Sequence, residues 1–256
     1  MLLIGFGAVR ARAASDEIVV AAAADLSFVF QEVAARYEKA TGNKVKLSFG
    51  SSGNFFSQIQ NGAPFDLFFS ADIDYPRRLE AAGLVEPGSL YEYATGRIVL
   101  WATKDSAIHV ERGLQVLVEP GVRKIAIADP EHAPYGRAAV SAMRHEGVYD
   151  PVRDKLVLGE NISQAAQFVE SGNADAGIVA LSLALAPTLR AKGRYFLIPP
   201  SLYPPIEQAG VILRSSQKKG AARQFMEFLK RPESVKVLQQ FGFVVRDPAA
   251  NRIEKH

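Results

Sequence analysis

Strand-length apolar runs alternate with segments of helical periodicity along most of this chain. Residues 18–23 form a continuous apolar run, which is typical of a strand buried on both faces of a sheet. Apolar residues then recur at helical spacing from Leu26 to Tyr37, and Thr41 and Gly42 end the predicted helix. The alternation continues with strands at 44–49 and 65–70 and helices around 55–59 and 75–82. This pattern predicts an α/β fold with a parallel sheet and helices on its faces.

A second block of the same kind begins at residue 97, and a short return segment ends the chain. Its predicted strands and helices lie at 97–103, 124–128, 136–145, 156–159, 163–171, 177–179 and 181–189. A proline-rich stretch then leads to a strand at 208–213 and helices at 221–230 and 233–241. These last segments are too few to form a separate domain, so we expect them to complete the first one.

The predicted organisation is therefore two α/β lobes between which the chain crosses twice. Residues 16–96 form the first part of lobe 1, residues 97–205 form lobe 2, and residues 206–256 return to lobe 1. We expect the hinge near 93–97 and near 199–205. Ligands of open parallel sheets bind beyond the carboxyl ends of the strands, which directs attention to the strand-to-helix turns.

Residues 1–15 are not expected to belong to either lobe. An apolar run from Leu2 to Val9 precedes Ala11-Arg12-Ala13, which has the small-x-small form of a signal-peptidase site. We expect export and a mature chain that begins near Ala14, and a disordered N-terminal extension is the alternative. No other stretch of the sequence approaches the ~18 apolar residues of a membrane span.

Composition narrows the classes of function. The 256-residue chain has no cysteine, which excludes disulfides, thiolate catalysis and cysteine-based metal centres. The chain has 30 Lys and Arg against 27 Asp and Glu, and no five like charges stand next to one another. Nucleic-acid binding is therefore not supported. The sequence contains no Walker loop, nucleophile elbow or H-E-x-x-H motif, and its histidines lack metal-ligand spacing. We predict that the chain is not an enzyme and has neither a cofactor nor a metal cation site.

Four strand-to-helix turns combine small residues with hydroxyl, carboxylate or amide side chains. They lie at 22–26, 50–54, 129–136 and 159–162, two in each predicted lobe, and none contains Arg or Lys. Because helix N-termini present unpaired N–H groups, such turns can hold an anion without a salt bridge. The alternative is that their Ser, Asp and Asn residues only cap helices.

Five segments of the chain resemble the periplasmic molybdate-binding proteins of ABC transporters. They are 22–26 (AAADL), 51–54 (SSGN), 62–72 (GAPFDLFFSAD), 129–136 (DPEHAPYG) and 241–243 (FGF). The resemblance runs in order from about residue 18 to residue 245. It implies the type II periplasmic binding-protein fold, in which two α/β lobes with mainly parallel sheets and a two-segment hinge close on an oxyanion. It further implies a periplasmic monomer that delivers molybdate or tungstate to a membrane ABC permease and its ATPase.

The same resemblance implies specific ligand contacts. Ser52 matches a serine whose hydroxyl and amide hold an oxo group, and Tyr135 and Ile162 match positions that donate their amides. Some members of the family also use a tyrosine where this chain has Ala180. Tyr135 is then the candidate to supply the missing hydroxyl.

Asp25, with Ala24 before it, departs from the family pattern, because members commonly have Ser or Asn at its position. A carboxylate beside a dianion is repulsive, the more so in a dry cleft. Three interpretations of Asp25 are open. It caps its own helix and leaves its amide for the ligand, it accepts a proton from a protonated oxyanion, or the site has lost the family's ligand.

Alternative functions remain on the same fold. The first is a receptor for another small oxyanion, protonated or not, or for an organic acid. The second is the ligand-sensing domain of a transcription regulator, which would need a helix-turn-helix in addition. The third is a catalytic offshoot in which Asp25 serves as general base, although no nucleophile partner for it is visible.

Overall fold

The computed structural model describes residues 16–245, so the signal-like segment predicted at 1–15 and the end of the return segment, 246–256, lie outside the described residues. The strands are β1 (Glu17–Ala23), β2 (Lys44–Gly50), β3 (Leu67–Ser70), β4 (Tyr91–Gly96), β5 (Ile98–Thr103), β6 (Ile125–Ala128), β7 (Leu156–Gly159), β8 (Ala176–Ala180), β9 (Gly193–Leu197) and β10 (Ile206–Ile212). The α-helices are α1 (Ser27–Thr41), α2 (Ser52–Gln60), α3 (Asp74–Ala81), α4 (Pro134–His145), α5 (Tyr149–Val152), α6 (Ile162–Glu170), α7 (Leu181–Ala184), α8 (Pro187–Lys192), α9 (Lys219–Leu229) and α10 (Pro232–Gln240). A short 3-10 turn, Ala24–Leu26, joins β1 to α1.

The strands form two five-stranded sheets, one in each lobe. The strand order is β2-β1-β3-β10-β4 in lobe 1 and β7-β6-β8-β5-β9 in lobe 2. The first three strands of each order pair in parallel, whereas β10 and β5 run antiparallel to both of their neighbours. Both sheets are therefore mixed, and the expectation of mainly parallel sheets is correct for only half of the pairings. Each of these two antiparallel strands is the first that the chain forms after it passes from one lobe to the other. The chain reaches β5 and β10 directly from the other lobe and not through a helical crossover within the same sheet.

Each lobe has its own apolar core. In lobe 1, Phe30 on α1 packs edge-to-face against Phe69 on β3 and Phe225 on α9, with ring centroids 4.8 and 6.1 Å apart. The return segment thus contributes to the core of the first lobe. In lobe 2, Trp101 on β5 is fully buried in the apolar core.

Two edge strands and one helix break are not predicted by the sequence pattern. Strands β4 and β9 lie at the sheet edges and are only partly buried, so they lack a continuous apolar run. The helix expected at 181–189 is two helices, because Ala186 is extended before Pro187. Proline disfavours helical geometry in the residue that precedes it.

The chain passes from one lobe to the other at two places. Arg97 alone separates β4 from β5, and residues 198–205 connect β9 back to β10. These are the two stretches where the sequence predicts a hinge. Within residues 16–245, the structure contains no helix that combines the length and the apolar character needed to cross a membrane.

Candidate functional site

A small cavity lies between the two lobes at the carboxyl ends of their strands. Its volume of about 10 Å³ is about the room that a single water molecule needs, and it is far below the roughly 300–1,000 Å³ of clefts that hold organic ligands. The five positions singled out in the sequence all line this cavity: Ala24, Asp25, Ser52, Tyr135 and Ile162. The fold therefore brings together turns that lie more than a hundred residues apart in the chain.

Three helices begin at this cavity. Ser52 is the first residue of α2, Ile162 is the first residue of α6, and Tyr135 follows Pro134 in the first turn of α4. Amides in the first turn of a helix have no partner within the helix, and the positive end of the helix dipole favours an anion. The cavity thus combines N-termini from both lobes, which is a common arrangement for anion binding.

Capping side chains occupy other amides of these turns. Ser51 Oγ accepts a hydrogen bond from the amide of Asn54 at 3.3 Å. Asn161 Oδ1 accepts from the amides of Ser163 and Gln164 at 3.0 and 3.1 Å. Ser51 and Asn161 are therefore the N-caps of α2 and α6. The amides of Ser52 and Ile162 take no part in these capping hydrogen bonds.

The Ser52 side chain is buried and held in place. Its Oγ accepts a hydrogen bond of 2.9 Å from the amide of Ala71, which follows β3. A hydroxyl that accepts one bond still has its own hydrogen to donate. Ser52 can therefore offer both its hydroxyl and its amide to an anion in the cavity.

Asp25 does not cap α1, which contradicts the first interpretation of this residue. The helix begins after Leu26, and no side chain caps its N-terminus. Instead, Asp25 Oδ2 accepts hydrogen bonds from Tyr135 Oη at 2.8 Å and from Gln208 Nε2 at 2.7 Å. The other oxygen, Oδ1, is buried without any hydrogen-bond partner. The carboxyl group is thus anchored by one oxygen and unsatisfied at the other.

The hydroxyl of Tyr135 is committed to this network. It donates to Asp25 Oδ2 and accepts from Gln208 Nε2 at 3.0 Å. The geometry therefore does not support the expectation that this hydroxyl replaces the family's tyrosine as a ligand contact. Tyr135 still lines the cavity, and its amide contact with the ligand stays a prediction.

Gln208 and Tyr93 are parts of the site that the sequence analysis missed. Tyr93 Oη donates to Gln208 Oε1 at 2.7 Å, which orients the amide so that its NH₂ group faces Asp25. Gln208 is fully buried on β10. Gln208 is followed by four apolar or small residues of the strand, and an amide side chain beside such a run is a signal that could have identified it, since a buried polar group needs partners.

Burial controls the protonation of this network. The pKa of the Asp25 carboxyl is raised from 3.8 to about 6, because loss of water outweighs the hydrogen bonds from Gln208, from Tyr135 and from its own backbone amide, which favour the charged form. Burial also raises the pKa values of the Tyr93 and Tyr135 hydroxyls well above 10.0, and the nearby Asp25 carboxylate adds to both shifts. Both tyrosines are therefore neutral donors at every physiological pH.

The lobes touch each other around the cavity. The amide of Gly53 donates to the carbonyl of His132 at 2.9 Å, and Ser163 Oγ donates to the carbonyl of Ala24 at 3.0 Å. Arg137 of lobe 2 forms an ion pair with Asp72 of lobe 1. These contacts hold the two lobes in a closed arrangement.

A larger groove of about 300 Å³ lies beside these contacts along the boundary between the lobes. Arg77 and Arg137 on its walls pair with acidic side chains, among them Asp74 and Asp72. Its charged groups thus already have partners, and the helix N-termini open into the smaller cavity instead. We therefore assign the candidate site to the smaller cavity.

Replacing Gly53 by alanine should weaken ligand binding several-fold while leaving each lobe folded. A Cβ at this position would lie 2.7 Å from the carbonyl oxygen of His132 in the opposite lobe, too close for closure without displacement. Isothermal titration measures the affinity for the ligand, and thermal melting shows whether the lobes remain folded. Gly220→Ala is the matched control, since its Cβ meets nothing within 4 Å. Unchanged affinity in Gly53→Ala would contradict a role for this contact in closure.

Two lobes that close on a small cavity lined by helix N-termini are typical of a solute-binding protein. The chain belongs to the bacterial extracellular solute-binding protein family, whose profile matches residues 18–244. It is 38% identical over 232 residues to the molybdate-binding protein ModA of Rhodobacter capsulatus, covering 91% of this chain and 90% of the relative. It is 39% identical over 243 residues to the molybdate-binding protein ModA of Azotobacter vinelandii, covering 95% of this chain and 96% of the relative.

Solved structures agree with this family. The Azotobacter vinelandii periplasmic molybdate-binding protein superposes with a TM-score of 0.85 at 36% identity, covering 90% of this chain and 100% of that one. The sulfate-binding protein SubI of Mycobacterium tuberculosis has a TM-score of 0.73 at 18% identity and shares the fold. The two-lobe α/β fold is therefore confirmed. Because the family and these relatives are binding proteins, the chain is a binding protein rather than an enzyme.

Proposed function

We propose that the protein is a periplasmic receptor that binds molybdate or tungstate between its lobes. It delivers the ion, as a monomer, to a membrane ABC permease and its ATPase. The observation that carries this proposal is the meeting of three helix N-termini from both lobes at a cavity with no Lys or Arg in its described lining. The names of the relatives supply the choice of ion.

The proposed contacts are the hydroxyl and amide of Ser52, the amides of Tyr135 and Ile162, and the turn formed by Ala24 and Asp25. A hydrogen bond to a charged group contributes about 1.5–3 kcal/mol. Four such bonds contribute about 6–12 kcal/mol before the costs of closure and desolvation, and contacts with the Ala24–Asp25 turn add to this total. Micromolar affinity corresponds to about −8 kcal/mol. Molybdate, tungstate and sulfate are all dianionic tetrahedra at neutral pH, so cavity size is the feature that selects among them.

Closure of the lobes is the proposed signal to the permease. The contacts of Gly53 with His132 and of Arg137 with Asp72 form only where the lobes meet. An ion bound to amides from both lobes adds to these contacts and shifts the population toward the closed form. The permease then recognises a surface that the open form does not present.

Titration of the protein with four anions tests the proposed ligand. We expect molybdate and tungstate to bind at pH 7.5 with micromolar or lower Kd values in isothermal titration calorimetry, and sulfate to bind much more weakly or not at all. Phosphate at pH 7.5 and pH 5.5 probes the alternative of a protonated oxyanion. Preference for sulfate over molybdate, or silence with all four anions, would contradict the proposal.

A further inference from the structure

We propose that Asp25 and the bound oxyanion share one proton, so that the site takes up its ligand together with one hydrogen ion. This inference rests on the proposed function and concerns the same cavity. The proton comes either from solvent, when the ligand is a bare dianion, or with the ligand, when the oxyanion already carries a hydroxyl. In both cases it lies between Asp25 Oδ1 and one ligand oxygen.

The hydrogen bonds of Asp25 leave one acceptor for this purpose. Its Oδ2 is held by Tyr135 Oη and Gln208 Nε2, and these two groups also contact each other at 3.0 Å. Its Oδ1 is buried and has no partner, although the residue lines the cavity. A buried oxygen without a donor is costly, and a hydrogen supplied at the cavity satisfies it.

Within residues 16–245, no cationic side chain beside Asp25 balances a second negative charge. The titratable side chains that face it are Tyr135 from α4 and Tyr93 from β4, both neutral, with the neutral Gln208 from β10. The helices α6 and α7 place hydroxyls on backbone oxygens of its turn, with Ser182 Oγ donating to the Asp25 carbonyl at 2.8 Å.

The remaining neighbours of the turn, α1 and β2, carry their charges elsewhere. Glu32 on α1 pairs with Arg36, and Lys44 on β2 pairs with Glu38. Among the described residues, no Lys, Arg or His forms an ion pair with Asp25. A carboxylate and a dianion in contact would therefore repel each other, and helix N-termini but no cationic side chain of the described residues offset the repulsion.

A shared proton removes this repulsion and turns it into an attraction. A hydrogen between two oxygens of which one is charged forms a short, strong hydrogen bond. Burial already raises the pKa of Asp25 to about 6, and a neighbouring anion raises it further. At neutral pH the empty site is mostly ionised, so binding of a bare dianion draws a proton from solvent. An oxyanion that carries its own hydroxyl brings that proton with it.

Calorimetric titration of the full-length protein with molybdate and with phosphate tests the shared proton. Titrations at pH 6, 7 and 8 in buffers of different ionisation enthalpy measure proton uptake directly. For molybdate we expect uptake of close to one proton at pH 8 and a Kd that rises about tenfold for each pH unit above 7. Phosphate that binds at pH 8 without uptake would support the same shared proton, supplied by the ligand.

Two variants separate the role of Asp25 from that of the rest of the site. Asp25→Asn should bind molybdate at pH 8 more tightly than the wild type, without proton uptake and without dependence on pH. Ser52→Ala should bind more weakly and still take up the proton. Molybdate binding by the wild type without uptake and without pH dependence would overturn the shared proton and leave the proposed function intact. Silence with both anions at every pH would contradict the proposed function itself.

Discussion

Replacing Asp25 by asparagine should stabilise the ligand-free protein by about 3 kcal/mol at pH 8 and change its stability little at pH 4. Folding raises the pKa of this carboxyl from 3.8 to about 6 because it is buried. The folded protein therefore binds a proton that the unfolded chain has released. This contribution to stability is complete below about pH 4 and is lost as the pH rises through 6. Asparagine cannot ionise, and its side-chain oxygen still accepts hydrogen bonds from Tyr135 and Gln208. The variant protein therefore does not lose stability over this pH range.

Urea denaturation at pH 4 and pH 8 measures this difference for the ligand-free protein. Asp154→Asn is the matched control, because its side chain is 92% exposed and the same substitution there should have little effect at either pH. The gap between Asp25→Asn and the wild type should open between pH 4 and pH 6.5. Equal stability of the two proteins at pH 8 would mean that the Asp25 carboxylate is solvated and not part of a closed network.

Replacing Ser52 by alanine should weaken molybdate binding by about 10- to 150-fold. The loss corresponds to one hydrogen bond to a charged ligand, about 1.5–3 kcal/mol. The amide of the same residue is retained, so binding is weakened and not abolished. The substitution also removes the acceptor for the amide of Ala71, which costs the fold some stability. Isothermal titration gives the change in affinity, and a urea titration shows that the variant remains folded.

Ser57→Ala is the control for the Ser52 substitution. Ser57 lies on the exposed face of the same helix, α2, so the chemical change is identical and the distance from the cavity is larger. Its affinity for molybdate should equal that of the wild type. An unchanged Kd in Ser52→Ala, with the variant folded, would remove the Ser52 hydroxyl from the site.

The sequence predicts the two-lobe α/β fold because buried parallel strands leave continuous apolar runs. Residues 18–23 and 125–128 are runs of this kind, and both lie in strands of the structure. Edge strands such as β4 and β9 are half exposed and leave no such run, so they escape prediction. The antiparallel direction of β10 and β5 depends on how the chain crosses between the lobes, which no local pattern encodes.

The location of the candidate site is predictable, whereas its internal hydrogen bonds are not. Strand-to-helix turns are visible in the sequence, and all five positions chosen from them line one cavity. The partners of Asp25 come from residues 135 and 208, and long-range pairing of this kind is set by the tertiary fold. A carboxylate at a helix start reads as a cap in the sequence, and the burial that gives it another role appears only in the folded protein.

A crystal structure of the protein with molybdate, with anomalous diffraction at the molybdenum edge, tests the central claim most directly. We predict one anomalous peak in the cavity between the lobes, with ligand oxygens within hydrogen-bond distance of Ser52 Oγ and of the amides of Tyr135 and Ile162. One further oxygen should lie beside Asp25 Oδ1 at the short distance of a shared proton. A peak elsewhere on the protein, or none under conditions where titration shows binding, would contradict an oxyanion site at these helix N-termini.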